Sequence, residues 1–161
     1  MPPTNPDAFI LDGSPINLVS AGGNIVSINP ADGGLIINGP SVNPGADVNL
    51  FIVEVLDNIG VRALTDRCRI ALRSQFNHKY VCAEKGGGHQ LVANRDAAAL
   101  WETFEVHILG IEPPAQPTGV MPGASIALRA CSGQFVAPEA APSKAVSARQ
   151  WRAAGFALFP R

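Results

Sequence analysis

A threefold recurrence constrains this chain more than any other feature. Ile16, Ile70 and Ile126 open three similar stretches at gaps of 54 and 56 residues, and Leu18, Leu72 and Leu128 follow at the same offset. Val26, Val81 and Val136 recur at gaps of 55 and 55, and Phe51, Phe104 and Phe156 close the stretches at gaps of 53 and 52. Self-similarity at a fixed period is the signature of a repeat architecture. Each stretch holds four short apolar runs, and Gly, Asn and Pro turns separate them, which reads as strands. The runs are 16–20, 24–27, 35–38 and 50–55, then 70–74, 79–83, 91–94 and 103–106, then 126–130, 134–137, 145–148 and 156–159. Four short strands cannot bury their own apolar face. Three such units predict twelve strands closing on a threefold axis, which also removes the free sheet edges that invite aggregation.

The repeats span approximately 14–56, 68–109 and 124–160 within one domain, 14–161, behind an N-terminal segment, 1–13. Phe9-Ile10-Leu11 reads as a short strand or a plug against the barrel end, and 61–64 as an extra extended segment. The stretch 110–123 carries Pro113, Pro114, Pro117 and Pro122 and reads as an extended surface loop. With 47% hydrophobic and 16% charged residues the chain is not a disordered one. A net charge of −1 supplies no electrostatic footprint for nucleic acid. No apolar run approaches the roughly 18 residues of a membrane span. The N-terminus lacks a basic region followed by an apolar one, and Cys68, Cys82 and Cys131 are odd in number without CxxC spacing. Reduced thiols are expected, with a cytoplasmic location if this is the full chain and a secreted one if a leader was removed.

The middle unit carries a family resemblance. Ile70-Ala71-Leu72-Arg73-Ser74, the run from His78 to Glu84, Gly86-Gly87-Gly88, Leu91-Val92-Ala93-Asn94-Arg95 and Trp101-Glu102-Thr103-Phe104 resemble, in order and spacing, the fascin-like β-trefoil repeat. The third unit keeps the Leu-Arg and Phe-Val-Ala blocks and Trp151, whereas the first keeps only the apolar frame. The resemblance implies an all-β, β-trefoil fold of twelve strands in three pseudo-threefold repeats. It also implies a binding module, since the family holds actin bundlers and single trefoils appended to glycoside hydrolases. Fold constrains ligand only weakly.

Candidate site residues follow once the shared frame is set aside. Tyr80 and Phe135 occupy matching places, with Ile25 in the first unit, and are expected in the core with Phe51, Phe104 and Phe156. Trp101 and Trp151 are either stacking platforms for a sugar ring or packed on the rim, and packing is the favoured reading. Asn94-Arg95, with Glu84 and Glu102, forms the strongest polar cluster. Its bland reading is favoured: Asn94 bonds its own turn, as Asn38 would in unit one, and Arg95 pairs with a surface carboxylate. His78, His89 and His107 share no ligand spacing, so no metal and no cofactor are expected. The triple glycine lacks the GxxxxGK[ST] pattern of a phosphate loop and reads as a flexible hairpin connection. No GxSxG elbow occurs, Cys82 reads as buried and Cys131 as an exposed thiol, so no enzyme is expected.

Only the middle unit combines an Asp with a tryptophan. The expected ligand-binding set is therefore His78, Glu84, His89, Asn94, Arg95, Asp96, Trp101 and Glu102. The expected function is a non-enzymatic, carbohydrate-binding, lectin-like module acting on a glycan. The alternative is a protein-interaction module, either a cytoskeleton-like binder or a trefoil protease inhibitor presenting 110–123.

Overall fold

The computed structural model describes residues 10–37, 43–56, 63–109, 119–139 and 143–160. Twelve strands lie among them: β1 (Pro15–Ser20), β2 (Val26–Ile28), β3 (Leu35–Ile37), β4 (Phe51–Val55), β5 (Arg69–Ser74), β6 (Tyr80–Ala83), β7 (Leu91–Arg95), β8 (Phe104–Ile108), β9 (Ser125–Arg129), β10 (Phe135–Pro138), β11 (Val146–Gln150) and β12 (Phe156–Pro160). Single 3-10 turns at Asp47–Asn49, Glu84–Gly86 and Leu100–Glu102 are the helical pieces among the described residues. The fold is all-β, as the turn-punctuated apolar runs require.

Six strands close a barrel. β1 pairs with β12 and β4, β4 with β5, β5 with β8, β8 with β9, and β9 with β12, all antiparallel. Alternate residues of these strands point inward, and Phe51, Phe104 and Phe156 are among the largest side chains wholly removed from water. Burying one such side chain contributes roughly 1.5–3 kcal/mol. The remaining strands form three hairpins, β2–β3, β6–β7 and β10–β11. The hairpins meet one another through isolated bridges, Gly34 to Val92, Gln90 to Ser147 and Ile36 to Ala145.

A second recurrence lies six residues ahead of each opening isoleucine. Ile10, Leu64 and Val120 are buried, and their backbones close a triangle. The Ile10 amide donates to the Val120 carbonyl at 2.9 Å, Val120 to Leu64 at 2.8 Å, and Leu64 to Ile10 at 2.8 Å. Ile10 thus plugs the barrel end, whereas Phe9, Val61 and Arg62 lie outside the described residues. The expected 110–123 loop is shortened by the same contacts: Val120 belongs to the barrel end, and 110–118 lie outside the described residues. Two aspartates clamp the strand ends here. Asp12 accepts the Val55 amide and Asp66 the Ile108 amide, each at 2.8 Å. The third unit has Pro122 and Pro160 at the matching places, so acceptor and donor are both absent.

Three residues expected in the core are not there. Tyr80, Phe135 and Ile25 are half-buried. A register shift follows Tyr80 in β6 and Phe135 in β10, and it turns these side chains onto the outer face. The Tyr80 hydroxyl donates to Glu54 at 2.7 Å. The triple glycine also has a firmer role than a flexible connection. Gly86 and Gly88 take positive φ (both +84°), and the Gly86 carbonyl accepts the Ser132 amide at 3.1 Å, so the backbone meets the third unit closely.

Candidate functional site

Half of the expected site residues stand apart on the surface. His78 is exposed and holds φ of +60° in the β5–β6 turn, the place taken by Gly23 and Gly133 in the other units. His89 is exposed, and its carbonyl accepts the Ala148 amide at 3.2 Å. Asn94 is exposed and makes no side-chain hydrogen bond among the described residues, so the turn-capping bond expected of it is not formed. The structure instead spends such a bond at Asn77, whose side chain accepts the Lys79 amide at 3.0 Å. Asp96 points outward and pairs with Lys79.

The other half converges. β7 carries Arg95, and the 3-10 turn between β6 and β7 carries Glu84, whose carboxylate Arg95 holds at 2.8 Å. The Leu100–Glu102 turn sets Trp101 and Glu102 beside them. Glu102 is nearly buried, and its carboxylate reaches back to the Ala99 amide at 2.9 Å while Thr103 bonds the Ala99 carbonyl at 2.8 Å. The same carboxylate acts on the Cys82 thiol of β6. Burial first, then hydrogen bonding to Glu102, pushes that thiol up to about 12. Arg95, Ala99, Leu100, Trp101 and Glu102 line a cavity of about 230 Å³.

The tryptophans correct the packed-rim reading. Trp101 is 39% exposed and Trp151 72% exposed. Trp151 lies just ahead of the place that the 3-10 turns take in the other units, and its ring stands near Gly133.

A larger cavity, about 360 Å³, lies at the junction of the second and third units, and sequence reading missed it. Arg69, Leu100, Glu105, Arg129, Ser132 and Gly133 are in its wall. Strand register assembles it: Arg69 of β5 sits opposite Glu105 of β8, and Glu105 opposite Arg129 of β9. Leu100, 67% exposed, lines both cavities. Cys131 also borders the larger one; Cys68 and Cys82 are buried, and none of the three cysteines forms a disulfide. Among the described residues no three His, Cys, Asp or Glu side chains gather as metal ligands would. None of the described helical pieces is long and apolar enough to cross a membrane.

Comparison with known proteins bears on fold alone. Residues 62–112 match the model of a family described as a domain of unknown function, DUF7910. No curated protein matches the sequence. A Caenorhabditis elegans protein of unknown function is similar with TM-score 0.70 and 11% identity, over 97% of this chain and 98% of that one. The SDF2-like protein from Arabidopsis thaliana is similar with TM-score 0.72 and 13% identity, over 95% of this chain and 94% of that one. These findings overturn the fascin-like resemblance, because the stretch that carried it matches a different family model. The physical reason is that its motif residues are structural. Leu72, Val81, Ala83, Leu91 and Phe104 are core, and the glycines are a close approach of two backbones, so they specify a barrel and its turns.

Proposed function

We propose that the closed barrel with its three hairpins is a β-trefoil, and that the chain is a non-enzymatic binding module for carbohydrate. The topology supports the fold reading: barrel pairings, hairpins, the Ile10–Leu64–Val120 triangle and the clamping aspartates recur at the repeat spacing. One observation carries the ligand reading. A partly exposed indole, Trp101, shares a cavity wall with a guanidinium and a carboxylate that are already oriented, Arg95 by Glu84 and Glu102 by the Ala99 amide. An indole face suits the C–H face of a sugar ring, and fixed charged groups at its edge suit vicinal hydroxyls. The volume is below the ~300–1,000 Å³ of drug-sized sites, which suits one ring of a longer glycan. His78, His89 and Asn94 fall outside this site, and Asp96 stands at its margin.

The test is a glycan array on the purified chain and its Trp101→Ala variant. The reading predicts binding that Trp101→Ala abolishes while the unfolding midpoint holds; unchanged binding would sink it. A protein-interaction surface is the second reading, favoured by the exposure of Leu100 in the wall of the larger cavity and of Trp151, whose ring stands near Gly133 of that wall. It predicts that Trp151→Ala, and not Trp101→Ala, removes the activity. The inhibitor form of that reading rests on 110–118, outside the described residues.

A further inference from the structure

The barrel repeats one side-chain arrangement at its junctions between units. At the first, Arg73 of β5 stands opposite Tyr80, and Glu54 engages both: its carboxylate lies 3.3 Å from the Arg73 guanidinium and accepts the Tyr80 hydroxyl at 2.7 Å. At the second, Arg129 of β9 takes the place of Arg73 and Phe135 that of Tyr80, again opposite each other. His107 takes the place of Glu54. Its ring meets the Phe135 edge in a T-shaped contact and bonds Glu105 at 2.5 Å. The carboxylate is therefore missing from this junction's arginine, and Glu105, opposite Arg129 in register, is engaged by His107. At the third junction Val19, Ile25 and Phe159 occupy these places, and no charge is present.

Arg129 is held ready even so. Its Nε donates to the Gly133 carbonyl at 3.2 Å, and its guanidinium lies 5.9 Å over the Phe135 ring. Among the described residues no carboxylate lies within ion-pair reach of it. It faces the 360 Å³ cavity together with Arg69 and Ser132, and Leu100 joins that cavity to the Trp101 site.

We propose that this cavity is a carboxylate subsite, so that the ligand is an acidic glycan whose neutral ring lies on Trp101 and whose carboxylate meets Arg129. The inference rests on the glycan reading of the Trp101 site. The chemistry comes from the molecule itself: at the first junction a carboxylate from the chain fills the position, and at the second the ligand supplies it. A guanidinium matches a planar carboxylate with two parallel N–H bonds, which selects carboxylate over a bare negative charge.

The experiment is a glycan array holding neutral, carboxylated, sulfated and phosphorylated members, then titration of the carboxylated hit and its neutral counterpart against four proteins. These are the wild-type chain, Arg129→Gln, Arg129→Lys and His107→Glu, each first shown to keep its unfolding midpoint. The carboxylated glycan binds at least about tenfold tighter than the neutral one to the wild type, in keeping with a hydrogen bond to a charged group. Arg129→Gln removes that preference and leaves neutral binding intact, and Arg129→Lys restores part of it. His107→Glu rebuilds the first junction's internal ion pair and quenches the preference without touching Arg129. Equal affinity for neutral and carboxylated glycans, a preference that survives Arg129→Gln, or a stronger preference for sulfate or phosphate overturns the subsite and leaves the glycan reading standing. Absence of all glycan binding, or binding that ignores Trp101→Ala, overturns both.

Discussion

The first and second units bury a polar pair at the same place and build it from different chemistry. In the first, the Ser27 hydroxyl on β2 donates to the Asn49 side-chain carbonyl, and the Asn49 amide donates to the Asn43 carbonyl at 2.8 Å. In the second, Cys82 on β6 faces Glu102, which holds the Ala99 amide. Both pairs fasten the second strand of the unit to the 3-10 turn ahead of its fourth. The third unit has Ala137 at the matching place and no such turn among its described residues. The neutral pair is wholly enclosed. The ionisable pair leaves a carboxylate in a cavity wall, with a guanidinium close by. The same fastening job is thus compatible with a closed unit and with a site.

The sharpest break of this comparison is Asn49→Ala. It strips the Asn49 side-chain bonds to Ser27 and Asn43 and leaves the buried Ser27 hydroxyl without its acceptor, a loss of about 2–4 kcal/mol in denaturant unfolding. Glu102→Ala removes the corresponding anchor at the edge of a cavity that water can enter, and its expected cost is smaller, about 1–2 kcal/mol. Equal losses would mean that the two pairs are equally enclosed.

Alkaline pH separates the pairs next. The native Cys82 thiol holds its proton to about 12, against an ordinary value of 9.0. Its contribution to stability is complete below pH 9.0, where both states carry the proton. It is lost as pH rises to about 12, because the unfolded chain releases the proton first. Tyr80, bonded to Glu54, is also raised from 10.0 and contributes a slope of the same sign. Cys82→Ser keeps a donor toward Glu102 and removes the thiol's share, so unfolding measured from pH 8 to 11 should flatten in that variant. A slope unchanged by Cys82→Ser would place the whole effect on other groups.

The smallest effect comes from the turns that lead into these strands. Gly23 in the first unit and His78 in the second hold the same left-handed backbone. A side chain at such φ is strained, so His78→Gly should gain roughly 0.5–1 kcal/mol. A loss on thermal unfolding would show that the histidine ring makes a contact worth more than its strain.

The frame was legible because a core demands repetition: Ile16, Leu18, Val26 and Phe51 have counterparts at nearly constant spacing, and all are buried. Ile10, Leu64 and Val120 obey the same spacing, and the runs around Ile10 and Leu64 read as extended segments, but their threefold relation to Val120 was not legible because the flanking residues differ in all three units. The position of the Trp101 cavity in the middle unit was legible from its residue types, but four of the eight expected members are surface groups. The larger cavity was not legible at all. Arg69, Glu105 and Arg129 lie on three strands of two units, and only barrel closure makes them neighbours.

The backbone triangle at the barrel end governs how the chain reaches its native state. Each vertex gives a hydrogen bond to one neighbour and takes one from the other, so two units can make one bond of the three. The last vertex, Val120, arrives 110 residues after Ile10. Contacts of such sequence separation form late and together, after a large loss of chain entropy. Folding is therefore slow and all-or-none for the whole barrel, and tryptophan fluorescence and far-ultraviolet dichroism should report one coincident transition. A fragment ending before Val120 would lack one corner and leave the Ile10 amide and the Leu64 carbonyl without partners in an apolar barrel end.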